Sequence, residues 1–234
     1  MNESNQSGQN DQNDININRT NQANRVNRIN QKLEEEGDIG FPLLLASASP
    51  RRKELLHRLG LKFKVIPSLV EENDVPGLPE EKARTWALLK AEAVVSRHSG
   101  IIIGADTIVV LEGRVLGKPK DEQEAKEMLG QLSGNTHTVI TGLALINTRS
   151  HLRILESVES KVSFRRLSDE EIDTYIATRE PMDKAGAYGI QERGAGFVTR
   201  VQGCYTNVVG LPVSCLLKSL ERILDLPQGY GPKE

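Results

Sequence analysis

The chain has 234 residues, 30 basic and 32 acidic, for a formal net charge of −2. That balance gives no electrostatic footprint for nucleic acid, and no polybasic run marks a membrane surface. Two cysteines, Cys204 and Cys215, cannot build a disulfide framework and lack metal-ligand spacing. No apolar run approaches the ~20 residues of a membrane span, and the Asn/Gln-rich start has no apolar signal core. The expected location is the cytoplasm.

Residues 1–38 are dominated at first by Asn, Gln, Ser and Asp and then by charge. Such a composition offers little to bury against its ordering entropy, so a disordered tail is expected. Residues 39–228 form one folded domain on this reading. It opens with "LLLASASPRRKELLHRLG". Leu43–Leu45 reads as a buried strand. Leucines 55, 56 and 59 mark a helix that ends at Gly60, with Ser49 as N-cap and Pro50 at the first helical position. Arg51 and Arg52 stand in the first helical turn, where the macrodipole is already positive. With the hydroxyls of Ser47 and Ser49 and the free amides, they form a candidate anion site.

A short strand is expected at residues 63–67, followed by acidic Glu71 and Glu72. Residues 80–98 read as a helix with Ala83, Trp86, Leu89, Ala93 and Val94 in one stripe, interrupted by Lys90. "GIIIGADTIVVLEGRVLG" then gives a buried strand ending near Asp106, a second stretch over residues 107–111, and a turn at Glu112-Gly113 into a return strand. Residues 121–132 form a helix with Asp121 and Glu124 as a capping box. Strands are expected at residues 137–147, 158–164 and 196–202. Ser168 and Glu171 open a further helix, and residues 213–224 close the chain. Alternating elements early, and strands in the middle, argue for an α/β chain on a mixed sheet.

The chemistry concentrates at strand ends. An unpaired buried carboxylate costs several kcal/mol, so Asp106 should face a cleft, a cation or a metal. Glu72 is a second candidate metal ligand, and Lys90 and Lys118 are candidate cations. "GRVLGKP" fails as a P-loop, because its glycines are one residue too close and Pro119 replaces the Ser/Thr. No dinucleotide fingerprint occurs. In "DKAGAYGIQERGAGF" the glycines imply close approach to a ligand, and Gln191 carries an amide able to read a base. Cations beside carboxylates point to a Mg²⁺-assisted phosphate-ester or anhydride hydrolase.

"ASASPRRKELL", "GADTIVV", "LGKPKD", "LSGNTHTVITGLAL", "EPMDKAGAYGIQ" and "GCYTNVVGLP" follow in this order. Together they resemble the Maf family of nucleoside triphosphate pyrophosphatases, first named for septum formation. The resemblance implies an elongated α/β fold with a mixed twisted sheet, flanking helices and two lobes around a cleft, similar to inosine triphosphate pyrophosphatases. It implies hydrolysis between the α and β phosphates with a divalent cation, Mg²⁺ or Mn²⁺, and a homodimer as the expected assembly. Ser47, Arg51 and Arg52 match the phosphate-binding element. Glu72, Lys90 and Lys118 match further active-site positions and Asp106 the proton acceptor; Glu72 and Asp106 are the expected metal ligands. "DKAGAYGIQ" is similar to the branch acting on dTTP and UTP, in which positions matching Arg51, Thr107 and Gln191 accompany base selection. The competing expectations are a nucleotide-binding regulator of septum formation and a pyrophosphatase for another base such as 7-methyl-GTP. The Asn/Gln-rich start and Arg179, where the family more often has Gly, depart from the pattern.

Overall fold

The computed structural model of the protein describes residues 6–35, 41–70 and 75–225. Helix α1 spans Gln6–Glu35. Strand β1 (Leu43–Leu45) leads into α2 (Pro50–Leu59), β2 (Phe63–Val65) and α3 (Pro79–Val95). The long β3 (Ile101–Leu111) turns into β4 (Arg114–Leu116), followed by α4 (Glu122–Leu132). Strands β5 (Thr136–Asn147) and β6 (Arg153–Phe164) form a long antiparallel pair. Then come α5 (Asp169–Ala177), three short 3₁₀ turns, β7 (Val198–Gly203), α6 (Tyr205–Val209) and α7 (Val213–Asp225).

The strands make one seven-stranded mixed sheet in the order β2-β1-β3-β5-β6-β7, with β4 attached to β3. Because strand side chains alternate, β3 divides its residues between two layers. Ile101, Ile103, Ala105 and Val109 enter the main core with α2, α4, α5 and α7, whereas Ile102 and Ile108 pack on α3. Helix α3 lies very close to the sheet. A Cβ on Gly104 would come within 2.0 Å of the Ala87 carbonyl, and one on Gly142 within 2.1 Å of that of Ala83. Only glycine permits this approach.

Strand pairing also makes the cleft. On one edge β3 pairs with β5 from Ile101 to Val110. On the other edge β1 ends its pairing at Ile103, and β4 begins at Val109. Between them neither strand covers β3, and Asp106, Thr107 and Ile108 border the opening.

Three expectations need correction. Residues 6–35 of the expected tail are helical, and Val26, Ile29 and Leu33 are buried in the main core. Spaced by three and four residues, they form a narrow apolar stripe, and tertiary burial outweighs the polar average of the sequence. Asn30 donates to the Gly60 carbonyl and accepts from the Lys62 amide. Next, Asp106 lies within β3 and not at its end, because the strand continues unbroken to Leu111. Finally, the buried side of α3 is Ala83, Trp86, Ala87, Lys90, Ala91 and Val94. Lys90 thus sits in the buried stripe, and Leu89 and Ala93 are only half-buried.

Candidate active site

A cavity of about 460 Å³ occupies the gap, within the size range of small-molecule sites. Ser47, Arg51, Arg52, Lys90, Asp106, Thr107 and Lys118 all line it. Ser49 caps α2 by accepting from the Arg52 amide, with Pro50 in the first turn and Gly60 left-handed at φ 76° behind the last. The capped N-terminus therefore opens on the cavity with Arg51 and Arg52 beside it.

The two arginines have different tasks. Arg51 is 3.7 Å from Asp183, a weak pair whose acid is 66% exposed. Arg52 is buried. Its Nε donates to the Gly210 carbonyl at 2.7 Å, Nη1 to Ser47 Oγ at 3.1 Å and Nη2 to Thr107 Oγ1 at 3.0 Å. It ties the β1–α2 turn, β3 and the loop before α7 together, so it belongs to the folded frame as much as to the cradle. Gly210, at φ 115°, lets that loop approach; its Cβ would lie 3.3 Å from Thr107 Oγ1.

On the opposite face, Lys90 Nζ lies 2.6 Å from Asp106 Oδ1, with side chains only 10% and 11% exposed. Taking two charges out of water costs several kcal/mol per ion, and the pair returns that through attraction and a charge-assisted bond. A fold needs no such pair at the mouth of a cavity, which makes it the strongest local sign of chemistry. Lys90 bonds one of the two carboxylate oxygens, Oδ1.

Lys118 is exposed on the cavity wall. The glycine-rich segment brings a further cation to the cavity wall, Lys184. Lys184 is buried, donating to the Glu180 carbonyl at 2.6 Å and to Asp183 at 2.7 Å. Lys184 and Arg51 hold the Asp183 carboxyl below the usual carboxylate range despite partial burial, which pushes the other way. Gln191 is exposed and does not line the cavity, though Gly189 and Ile190 do. Glu72 lies outside the described residues.

Sequence reading also missed a buried polar relay behind Thr107. Thr107 Oγ1 is 3.0 Å from Thr141 Oγ1, and Thr141 donates to the Asn207 carbonyl at 2.9 Å. Asn207 Nδ2 donates to the Val139 carbonyl and to Ser160 Oγ, both at 3.0 Å. The signal was Asn207 inside "GCYTNVVGLP", an amide directly before the apolar Val208 and Val209. His137 and Tyr188, 2.8 Å apart and buried beside the site, were likewise not foreseen.

The family model for Maf-like proteins matches residues 42–223. The chain belongs to that family. It is similar to a dTTP/UTP pyrophosphatase of Bacillus cereus, 48% identical over 192 residues that cover 81% of this chain and 94% of that one. It is 51% identical over 181 residues to a dTTP/UTP pyrophosphatase of Bacillus cytotoxicus, covering 76% and 94%. Among solved structures it is similar to the Ham1 protein of Staphylococcus aureus, with a TM-score of 0.45 and 14% identity over 77% of this chain and 98% of that one. Helix α1 precedes the segment that the Maf-like model matches.

Among the described residues no group of three or more His, Cys, Asp or Glu side chains could hold a metal ion. Mg²⁺ is commonly bound by one or two carboxylates together with substrate phosphates. Asp106, a hard oxygen donor beside a cationic cradle, fits that mode. No helix among the described residues is long and apolar enough to cross a membrane.

Proposed function

We propose that the protein hydrolyses nucleoside triphosphates, dTTP and UTP foremost, between the α and β phosphates, releasing the monophosphate and pyrophosphate. The observation that carries this reading is the buried Lys90–Asp106 pair at the border of a cavity lined by Arg51, Lys118 and Lys184. Membership of the Maf-like family and relatives near 50% identity named dTTP/UTP pyrophosphatase support it.

In this proposal the α2 N-terminus, Ser47 and Arg51 take the phosphates, and Arg51 exchanges its weak bridge to Asp183 for a charge-assisted bond to the ligand. Lys118 and Lys184 add positive charge. Arg52 keeps the cradle in shape from behind. Lys90 fixes Asp106, which accepts the proton of the attacking water. Asp106, with Glu72 as a further candidate, would hold a Mg²⁺ or Mn²⁺ ion carried in with the triphosphate; such an ion offsets charge on the phosphates.

The test is product analysis over dTTP, UTP, CTP, ITP and 7-methyl-GTP with Mg²⁺ and with Mn²⁺. Fastest turnover of dTTP and UTP, with monophosphate and pyrophosphate as products, is expected. Release of orthophosphate and a diphosphate would sink the assignment of the scissile bond. Preference for 7-methyl-GTP would move the protein to another substrate class.

A further inference from the structure

Glu180 gathers the glycine-rich segment around one carboxylate. Its Oε1 accepts from the Tyr175 hydroxyl at 2.7 Å and from the Gly194 amide at 3.2 Å, and its Oε2 from the Arg193 amide at 3.2 Å. Tyr175, buried on α5, accepts in turn from the Gly189 amide at 3.1 Å. Burial first, and then the bond to Glu180, push the Tyr175 pKa up, so the hydroxyl keeps its proton and stays a donor. The run from Gly189 through Tyr175 to Glu180 therefore has one direction. Gly189 lies against the side chain of Lys184: a Cβ there would come within 2.8 Å of Lys184 Cε and 3.1 Å of Cδ. Lys184 spends two ammonium donors on the Glu180 carbonyl and on Asp183, and Glu192 stands 4.0 Å away. Both Lys184 and Gly189 line the cavity.

Neither Tyr175 nor Glu180 borders the cavity, so any influence they have on a ligand runs through Gly189 and Lys184. Resting on the proposed function, we infer that Glu180 and Tyr175 are positioning residues that fix Gly189 against the Lys184 stem and so hold the ammonium at the cavity wall for the ligand's phosphates. A network of this kind is costly to disturb. Positioning and bare charge make opposite demands here. Glu180 is an acid behind an anion site, and by Coulomb's law its removal should tighten polyphosphate binding. Positioning requires the reverse. Three donors converge on the two carboxylate oxygens, and an amide in the same place offers them only one oxygen. The segment must then shift, and Lys184 with it.

The experiment titrates inorganic tripolyphosphate into the full chain by calorimetry, with kcat and KM for dTTP measured beside it. Glu180→Gln and Tyr175→Phe should each raise the tripolyphosphate Kd and the KM at least about tenfold, as for the loss of a charge-assisted bond. With the Lys90–Asp106 pair untouched, kcat should stay within about threefold. Tyr175→Phe changes no charge and keeps the ring edge-on to Phe197 at 4.9 Å, so it decides alone if Glu180→Gln does not fold. A cycle with Lys184→Met, which keeps most of the stem and removes the charge, separates positioning from loosened packing. In that background, with Arg51 and Lys118 still in place, Tyr175→Phe should change Kd less than about twofold. An equal penalty with and without the Lys184 charge would overturn the inference. So would unchanged or tighter binding in Tyr175→Phe, a fall in kcat as large as the rise in KM, or a chain that binds no tripolyphosphate. If the coupling to Lys184 is found but no triphosphate is cleaved, the proposed function fails and the positioning stands. If dTTP is cleaved as proposed and the cycle shows no coupling, only the positioning fails.

Discussion

Asp106 and Thr107 are neighbours in the chain and face opposite sides of one sheet, and they solve the problem of a buried polar group in opposite ways. Asp106 points toward α3 and pairs with Lys90 beside a layer of apolar side chains. Thr107 points toward the main core and enters a run of neutral hydrogen bonds anchored by Arg52 and Asn207. A buried ion pair keeps charge at the border of the cavity. A buried hydrogen-bond relay spends its bonding capacity on geometry. The difference teaches that the period of two in a strand lets one element supply chemistry on one face and positioning on the other.

Removing the charge on the α3 side should have the largest effect. Asp106→Asn keeps the shape of the side chain and should lower kcat by at least about a hundredfold. It also breaks the buried ion pair with Lys90, so a loss of stability of up to about 3 kcal/mol accompanies it. Single-turnover hydrolysis beside denaturant unfolding measures both. Activity above about a tenth of wild type would remove Asp106 as the base and break the contrast between the faces. On the other face the contrast sharpens between two adjacent arginines. Arg52→Ala deletes three donors from the relay side and should cost at least about 3 kcal/mol of stability. Arg51→Ala breaks only a partly exposed bridge, worth less than about 1 kcal/mol, and should instead lower kcat/KM for dTTP about ten- to a hundredfold. Equal stability losses in the two variants would show that Arg52 is no more a frame residue than Arg51.

Much of this was readable in the sequence where local rules act alone. The α2 turn was legible because Ser49, Pro50 and Gly60 each have a positional meaning that no distant contact overrides. The α5 capping box at Ser168 and Glu171 was legible for the same reason. What escaped depends on partners far along the chain. Ile29 is fully buried only because α7 and the turn at Gly60 lie against it, so the local Asn/Gln background misled. Lys90 looked like an interruption of an apolar stripe until β3 placed Asp106 opposite it. Arg52 is tied into the frame by three bonds, which a pair of adjacent arginines does not announce, since the pair does not tell which of the two is spent on folding. Gln191 has the chemistry of a base reader, yet it is exposed and lies outside the cavity wall.

The smallest effect tests the neutral face by pH. His137 lies on the same side of β5 as Thr141, two strand repeats away, and packs edge-on against Phe164 and Tyr188. Burial pushes its pKa down from 6.5 to about 4. Its Nε2 meets the Tyr188 hydroxyl at 2.8 Å, and Nδ1 is buried without a partner among the described residues. The folded chain therefore keeps the ring neutral where the unfolded chain protonates it. Stability from this group is complete above pH 6.5, falls as the pH drops toward 4, and falls no further below that. The shift amounts to about 3 kcal/mol at most. Denaturant unfolding at pH 7 and pH 4.5 should show the wild type losing about 2–3 kcal/mol more than His137→Phe, which cannot be charged. The variant begins lower at pH 7, because Tyr188 loses its partner, so the slope and not the absolute stability is the quantity to compare. Equal slopes would mean that His137 titrates alike in both states, and the main-core face would then tolerate a charge as readily as the face that holds Asp106.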